Sequence, residues 1–351
     1  MGVACALGMT SCKDKGAEQW NKAEAPAEQA VAAPESTAEA VAGPQSAASA
    51  EQKELLNYMI FNIGKLAGEQ ANSAVWHDQV RDMRNKLEEY YDELEARGND
   101  PQMSMNLGLL LADITRTMKS YDKALKLYND VLAKWDSQPE ATRQTLENRR
   151  MRSSIANGMG SCYLLQKKAT EALPYYEKAL EIDEAIFNEL APKNNEPLPA
   201  GNVQIDPDLE RAAEDILSSY RCLGDCQLWA DDPEEARDTY KKGQELAVRM
   251  NNLRPGASVQ FIRLRSAQGD LENSCGQLKN AYAAWVHAGQ LAQRLLQMRP
   301  SPAIQAQVAQ ALRKLDASLK AISPKVREEL EAARSTEAED EPVPASQESA
   351  E

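Results

Sequence analysis

Across 351 residues the chain is 42% hydrophobic and 27% charged, so it can bury a sizeable core. No run approaches the roughly 18 apolar residues that a membrane-spanning helix needs. The formal net charge of −14 argues against a general nucleic-acid or anionic-membrane binder, because those displace counterions with basic patches.

The N-terminus reads MGVACALGMTSCKDKG, a short apolar run that closes on Ser11 and Cys12 and is followed by Lys13, Asp14 and Lys15. This resembles the end of a bacterial lipoprotein signal peptide, in which the cysteine becomes the lipidated first residue of the mature chain. Residues 1–12 are then a signal remnant and Cys12 the membrane anchor. Met9 stands where such signals usually carry Leu, and no Lys or Arg precedes the apolar run; a translation start upstream of Met1 accounts for the second departure. Residues 13–50 are mostly Ala, Glu, Pro, Ser and Gln, with little to bury except Trp20. Such a composition predicts a disordered linker that would hold the body away from a surface.

Two helices are expected within residues 51–99. The first, from Glu54 to Gly68, places Leu56, Met59, Ile60, Ile63 and Leu66 on one face. The second, capped by Ser73, carries the stripe Trp76, Val80, Met83, Leu87, Tyr90 and Leu94. Three readings of this hairpin stand open: a cap, a degenerate repeat, or a heptad-like contact to a second chain.

Between residues 100 and 299 one pattern of small and aromatic residues recurs four times. It is clearest from Met159 to Asp183, with Gly160 and Tyr163 on a first helix, then Ala172, Tyr176 and Ala179 on a second. The copy from Leu110 carries Leu111, Ala112, Tyr121, Ala124, Tyr128 and Val131. The copy from Tyr220 carries Leu223, Gly224, Ala236, Tyr240 and Gly243, and the last carries Gly269, Gly276, Ala281, Trp285 and Ala288. The small residues let the two backbones of a hairpin approach, and the aromatic is expected to fill the space against the next unit.

This spacing resembles the tetratricopeptide repeat. The resemblance implies an all-α protein, a right-handed α-solenoid of helix-turn-helix repeats with disordered N- and C-terminal tails, because no single hairpin can bury its apolar face alone. The repeats fall at about 105–138, 153–186, 217–250 and 262–295. The family period is about 34 residues. Here the equivalent alanines, Ala124, Ala172, Ala236 and Ala281, are separated by 48, 64 and 45 residues, so the units are expected to be spaced by insertions. The longest, residues 184–208, ends in a loop rich in Pro and Asn, and it is either functional or simply tolerated. Capping helices are expected over residues 300–334, with Ile304, Val308, Leu312, Leu315 and Leu319 along one face, and an acidic disordered tail over 335–351.

Catalytic chemistry is not evident. His77 and His287 stand far apart without an acidic or cysteine cluster, so neither a metal nor a catalytic triad is expected. Cys162, Cys222, Cys226 and Cys275 lie where small residues pack, which fits buried free thiols. No P-loop, dinucleotide fingerprint or nucleophile elbow appears, and no enzyme activity, cofactor or small-molecule substrate is expected.

The resemblance also supplies a surface. In tetratricopeptide solenoids the first helix of each pair lines a concave groove that holds a partner peptide. Carried onto this chain, the groove residues are Asn106, Asp113 and Arg116; Asn157 and Ser161; Arg221, Asp225 and Trp229; and Arg263, Asp270 and Asn273. The Lys and Asn set of the chaperone-tail carboxylate clamp is absent, and the mixed charge suggests a partner segment carrying both signs. The expected function is a non-catalytic protein-interaction scaffold, lipid-anchored in the cell envelope and facing the periplasm. By analogy with lipid-anchored repeat proteins, it would serve outer-membrane protein, pilus or secretion-complex assembly. The alternative is a soluble cytoplasmic regulator or chaperone adaptor.

Overall fold

The computed structural model describes residues 74–98, 100–191, 206–249, 255–298, 302–322, 324 and 326–329. All of these lie in one of the chain's two units, Ile63–Glu351; the other, Met1–Asn62, is outside them. Cys12, the linker, the first helix expected before Ser73, the loop 192–205 and the acidic tail therefore lie outside the described residues.

Every regular element among the described residues is a helix: α1 (Ala74–Arg97), α2 (Pro101–Thr117), α3 (Tyr121–Ser137), the single-turn α4 (Glu140–Arg143), α5 (Leu146–Leu165), α6 (Ala169–Leu190), α7 (Pro207–Trp229), α8 (Pro233–Arg249), α9 (Pro255–Ser274), α10 (Leu278–Met298) and α11 (Pro302–Ala321). Several starts are written locally. Asp100, Asp206 and Asp232 each accept a hydrogen bond from a backbone N–H of the first turn, and each is followed by a proline whose missing N–H would have had no helical partner.

Four hairpins, α2–α3, α5–α6, α7–α8 and α9–α10, share one turn. Its left-handed residue is Lys119 (φ 62°), Lys167 (φ 64°), Asp231 (φ 65°) and Gly276 (φ 75°) in the four copies. The following N–H closes back on the first helix each time: Ser120 to Thr115 O, Lys168 to Tyr163 O, Asp232 to Gln227 O and Gln277 to Glu272 O, at 2.8–3.1 Å. This is the hydrogen bond of a Schellman cap, and it aims every second helix back along the first. A left-handed residue is costly for any side chain except glycine, yet three of the four turns carry one.

The hairpins stack in order. Each second helix packs on the next first helix, α3 on α5, α6 on α7 and α8 on α9, while the first helices α2, α5, α7 and α9 also touch in sequence. The all-α solenoid expected from the repeat pattern is the fold observed. The unequal spacing has two sources rather than insertions alone. Helices α5, α6 and α7 run to 20, 22 and 23 residues against 17 for α2 and α3, so part of the added length extends the helices themselves. α11 closes the last apolar cluster by burying Val308 and Leu315 beside Trp285, Ala288 and Leu295.

At the other end α1 packs on α2 through Val80, Leu87, Tyr91 and Leu94. Tyr91, not Tyr90, is the buried aromatic. Lys134 of α3 donates to the Tyr91 hydroxyl (2.8 Å), stands over its ring, and pairs with Glu95 (2.5 Å), which fixes this choice.

Candidate functional site

The face expected to bind partners begins with the seam inside each hairpin. Ala124, Ala172, Ala236 and Ala281 of the second helices have no exposed surface. Opposite them, a Cβ added to Gly160 would sit 3.1 Å from the Tyr176 ring, and one added to Gly224 or Gly269 would overlap Tyr240 or Trp285 outright. In these three hairpins the aromatic therefore lies flat on its own first helix, not against the next unit alone. Tyr128, whose own hairpin has Ala112 in place of glycine, also packs on the next unit, where a Cβ added to Gly158 of α5 would overlap its ring.

The polar tip of each aromatic then finds the residue following that small position. Tyr128 donates to Asp113 (2.5 Å), Tyr176 to Ser161 (3.0 Å), Tyr240 to Asp225 (2.5 Å) and Trp285 Nε1 to Asp270 (3.2 Å). In each case the partners are fifteen residues apart. Burial, and next the neighbouring carboxylate, push the Tyr128 and Tyr240 hydroxyls far above their ordinary values, so both remain donors.

This arrangement revises the roles expected of the first-helix residues. Asp113, Ser161, Asp225 and Asp270 are tied into the hairpins and do not stand free as contact groups. Arg116 donates to both Tyr128 and Asp113 at 3.2 Å, and Arg221 pairs with Asp225 at 2.9 Å and reaches the Cys222 sulfur. Asn157 donates to Ser219 of α7 (3.2 Å), leaving its buried Oδ1 without a partner. Asn106 and Arg263 are half-buried and Asn273 is exposed at the end of α9. Trp229 is 40% exposed, unusual for a tryptophan, and Leu165 is 43% exposed at the matching end of α5.

Sequence reasoning missed a polar joint between α6 and α7. Asp183 is buried and accepts from Ser219 (2.5 Å), and Arg150 of α5 binds Asp208 (2.7 Å) and lies 3.9 Å from Asp215. Burial raises the Asp183 carboxyl against the opposing pull of Ser219, Ser153 and Arg150. Burial, and then the charge of Asp183, push Asp215 up to about 6, with Arg211 and Arg150 opposing. No spacing rule flags such a joint, because its members lie on three helices. Among the cysteines, Cys162 and Cys226 are buried, and burial raises their thiols to about 11 and about 12, which keeps them protonated; Cys222 and Cys275 are only half-buried. His287 meets the Phe261 ring edge-on, and the His77 side chain lies outside the described residues. No helix among the described residues is long and apolar enough to cross a membrane, and no group of three His, Cys, Asp or Glu there could hold a metal ion.

No curated protein matches the chain. Among solved structures, the crystal structure of BtubC (BKLC) from P. vanneervenii is similar at 17% identity with a TM-score of 0.42, over 73% of this chain and 92% of that one. The tetratricopeptide repeat family model matches residues 103–185, which span the α2–α3 and α5–α6 hairpins. The α7–α8 and α9–α10 hairpins repeat the same turn and the same aromatic link, and the chain carries tetratricopeptide repeats.

Proposed function

We propose that this protein is a non-catalytic scaffold that holds a segment of a partner protein along the face made by α2, α5, α7 and α9. Tetratricopeptide repeats support a protein-interaction role in general. The observation that carries the assignment to this face is the apolar surface it leaves open: Trp229 is exposed at the end of α7 and Leu165 at the matching end of α5. Large apolar side chains left in water at equivalent ends of first helices offer anchors to a partner segment. A photo-crosslinking residue placed at Trp229 should capture a discrete partner in the source cells, whereas one at Lys178, exposed on the second helix α6, should not. Equal labelling from both positions would refute the assignment.

The same reading places the scaffold in the cell envelope, anchored through a lipidated Cys12 and facing the periplasm. There it would act in assembling outer-membrane, pilus or secretion complexes. The support is the apolar run ending at Ser11-Cys12 and the Ala, Glu and Pro composition of the residues that follow. Mass spectrometry of the mature N-terminus from detergent-extracted membranes tests it. A diacylglycerol-modified Cys12 that disappears in Cys12→Ala is the expected result. An unmodified chain starting at Met1 in the soluble fraction would instead favour the cytoplasmic adaptor.

A further inference from the structure

The four hairpins differ where each first helix ends and its turn begins. The last helical residue is Thr117, Leu165, Trp229 and Ser274 in chain order, and the left-handed residue two places on is Lys119, Lys167, Asp231 and Gly276. Only the two middle hairpins, whose helices α5 and α7 touch, put a large apolar side chain at this edge, and they follow it with opposite charge. Leu165 precedes Lys167 and Lys168, whereas Trp229 precedes Asp231 and Asp232. All of these side chains are exposed, and among the described residues none of the four charged ones has an ion-pair partner. Neighbouring charges do not cancel the contrast. Glu171 offsets one of the two lysines, but the third turn adds Glu234 and Glu235 against Arg237 alone, which is already bound to Glu234 and Glu272.

We propose that this edge pairs with the same edge of a second copy of the chain, about a two-fold axis between the second and third turns. In a two-fold contact, if residue i of one copy meets residue j of the other, then j also meets i. Leu165 of each copy then covers Trp229 of the other, and Lys167 and Lys168 face the other's Asp231 and Asp232. An axis centred on the second turn would set lysine against lysine, and one centred on the third would set carboxylate against carboxylate. The net charge of −14 opposes the approach of two copies, so the apolar pair supplies the attraction and the opposite turns select the register. The proposal rests on the reading of Trp229 and Leu165 as anchors, and it names what occupies them.

Sedimentation equilibrium of the full chain tests it. The chain should pass from monomer to dimer with a Kd of roughly 1–100 µM, as suits a small interface. Lys167→Glu with Lys168→Glu should weaken the dimer at least about tenfold, and so should Asp231→Lys with Glu235→Lys, both at unchanged helical circular dichroism. Lysine already holds the left-handed position in two other hairpins and Asp232 keeps its cap on α8, so the second variant leaves its turn intact. Mixed together, the two charge-reversed variants should dimerise to within about threefold of the parent, because each reversed turn then meets its opposite on both sides of the axis. Trp229→Ser should also weaken the dimer at least about tenfold. A parent chain that stays monomeric up to about 100 µM, or a mixture no more dimeric than its two components, overturns the proposal. If the chain is monomeric while a crosslinker at Trp229 captures a different protein, the anchors stand and the second copy is wrong; if that crosslinker captures nothing, the anchors fail as well.

Discussion

The seam inside each hairpin and the joint between α6 and α7 solve the same problem, the burial of polar atoms between helices, in opposite ways. In the seam, a neutral aromatic donor meets an acceptor across a glycine or alanine, and the solution is repeated four times with the same turn. The joint is built once, from the carboxylates of Asp183 and Asp215, the hydroxyl of Ser219 and the guanidinium of Arg150. The seam depends on close approach, so its tolerance is steric. The joint depends on charge, so its tolerance is set by pH.

The sharpest way to break this contrast is to put a side chain into the seam. Gly224→Val should destabilise the protein by about 3 kcal/mol, because its Cβ would overlap the Tyr240 ring. Gly289→Ala, at a helical glycine with open space around its missing Cβ, should instead stabilise by about 0.5–1 kcal/mol. Urea unfolding read by circular dichroism separates the two, and similar midpoints would mean that close approach does not govern the seam. Removing only the donor is the milder version. Tyr240→Phe keeps the packing and loses the hydrogen bond to Asp225, for an expected cost of about 1.5–2 kcal/mol.

The joint should respond to mild acid. Asp215 is held up to about 6, above its unfolded value, so the folded state binds the proton more tightly. Its contribution therefore grows as the pH falls from 7 towards 5 and is lost again as the pH rises through 6. With 37% of the side chain exposed, solvent screening cuts this to about 1 kcal/mol. Thermal melts of Asp215→Asn should lack that rise, and a parent-like pH profile in the variant would place the titration elsewhere. The smallest effect belongs to the turns. Lys167→Gly relieves a left-handed residue that carries a side chain and should stabilise by about 0.5 kcal/mol, after glycine's larger unfolded-state entropy is offset. A loss of stability there would show that Lys167 makes a compensating contact.

Legibility followed the range of the interaction. The glycine and alanine positions and the aromatic spacing were readable, because a helix period and a tight turn bring residues such as Gly224 and Tyr240 together whatever surrounds them. The contacts between units were not: nothing in the pattern says that Tyr128 also packs on Gly158 of the next hairpin, because that contact joins helices of different units. The stripe of α1 was readable to within one residue, since Tyr90 and Tyr91 differ only in which one Lys134 can reach.

The sequence by itself determined the all-helical repeat, because hydrophobic period, proline starts and small-residue spacing act within one hairpin. Only the tertiary structure decided what the candidate surface offers. Asp113, Asp225 and Arg221 look like free charges on a helix face until folding supplies their partners. Hydrogen-bond satisfaction and desolvation are properties of neighbours in space, and those neighbours come from helices far apart along the chain.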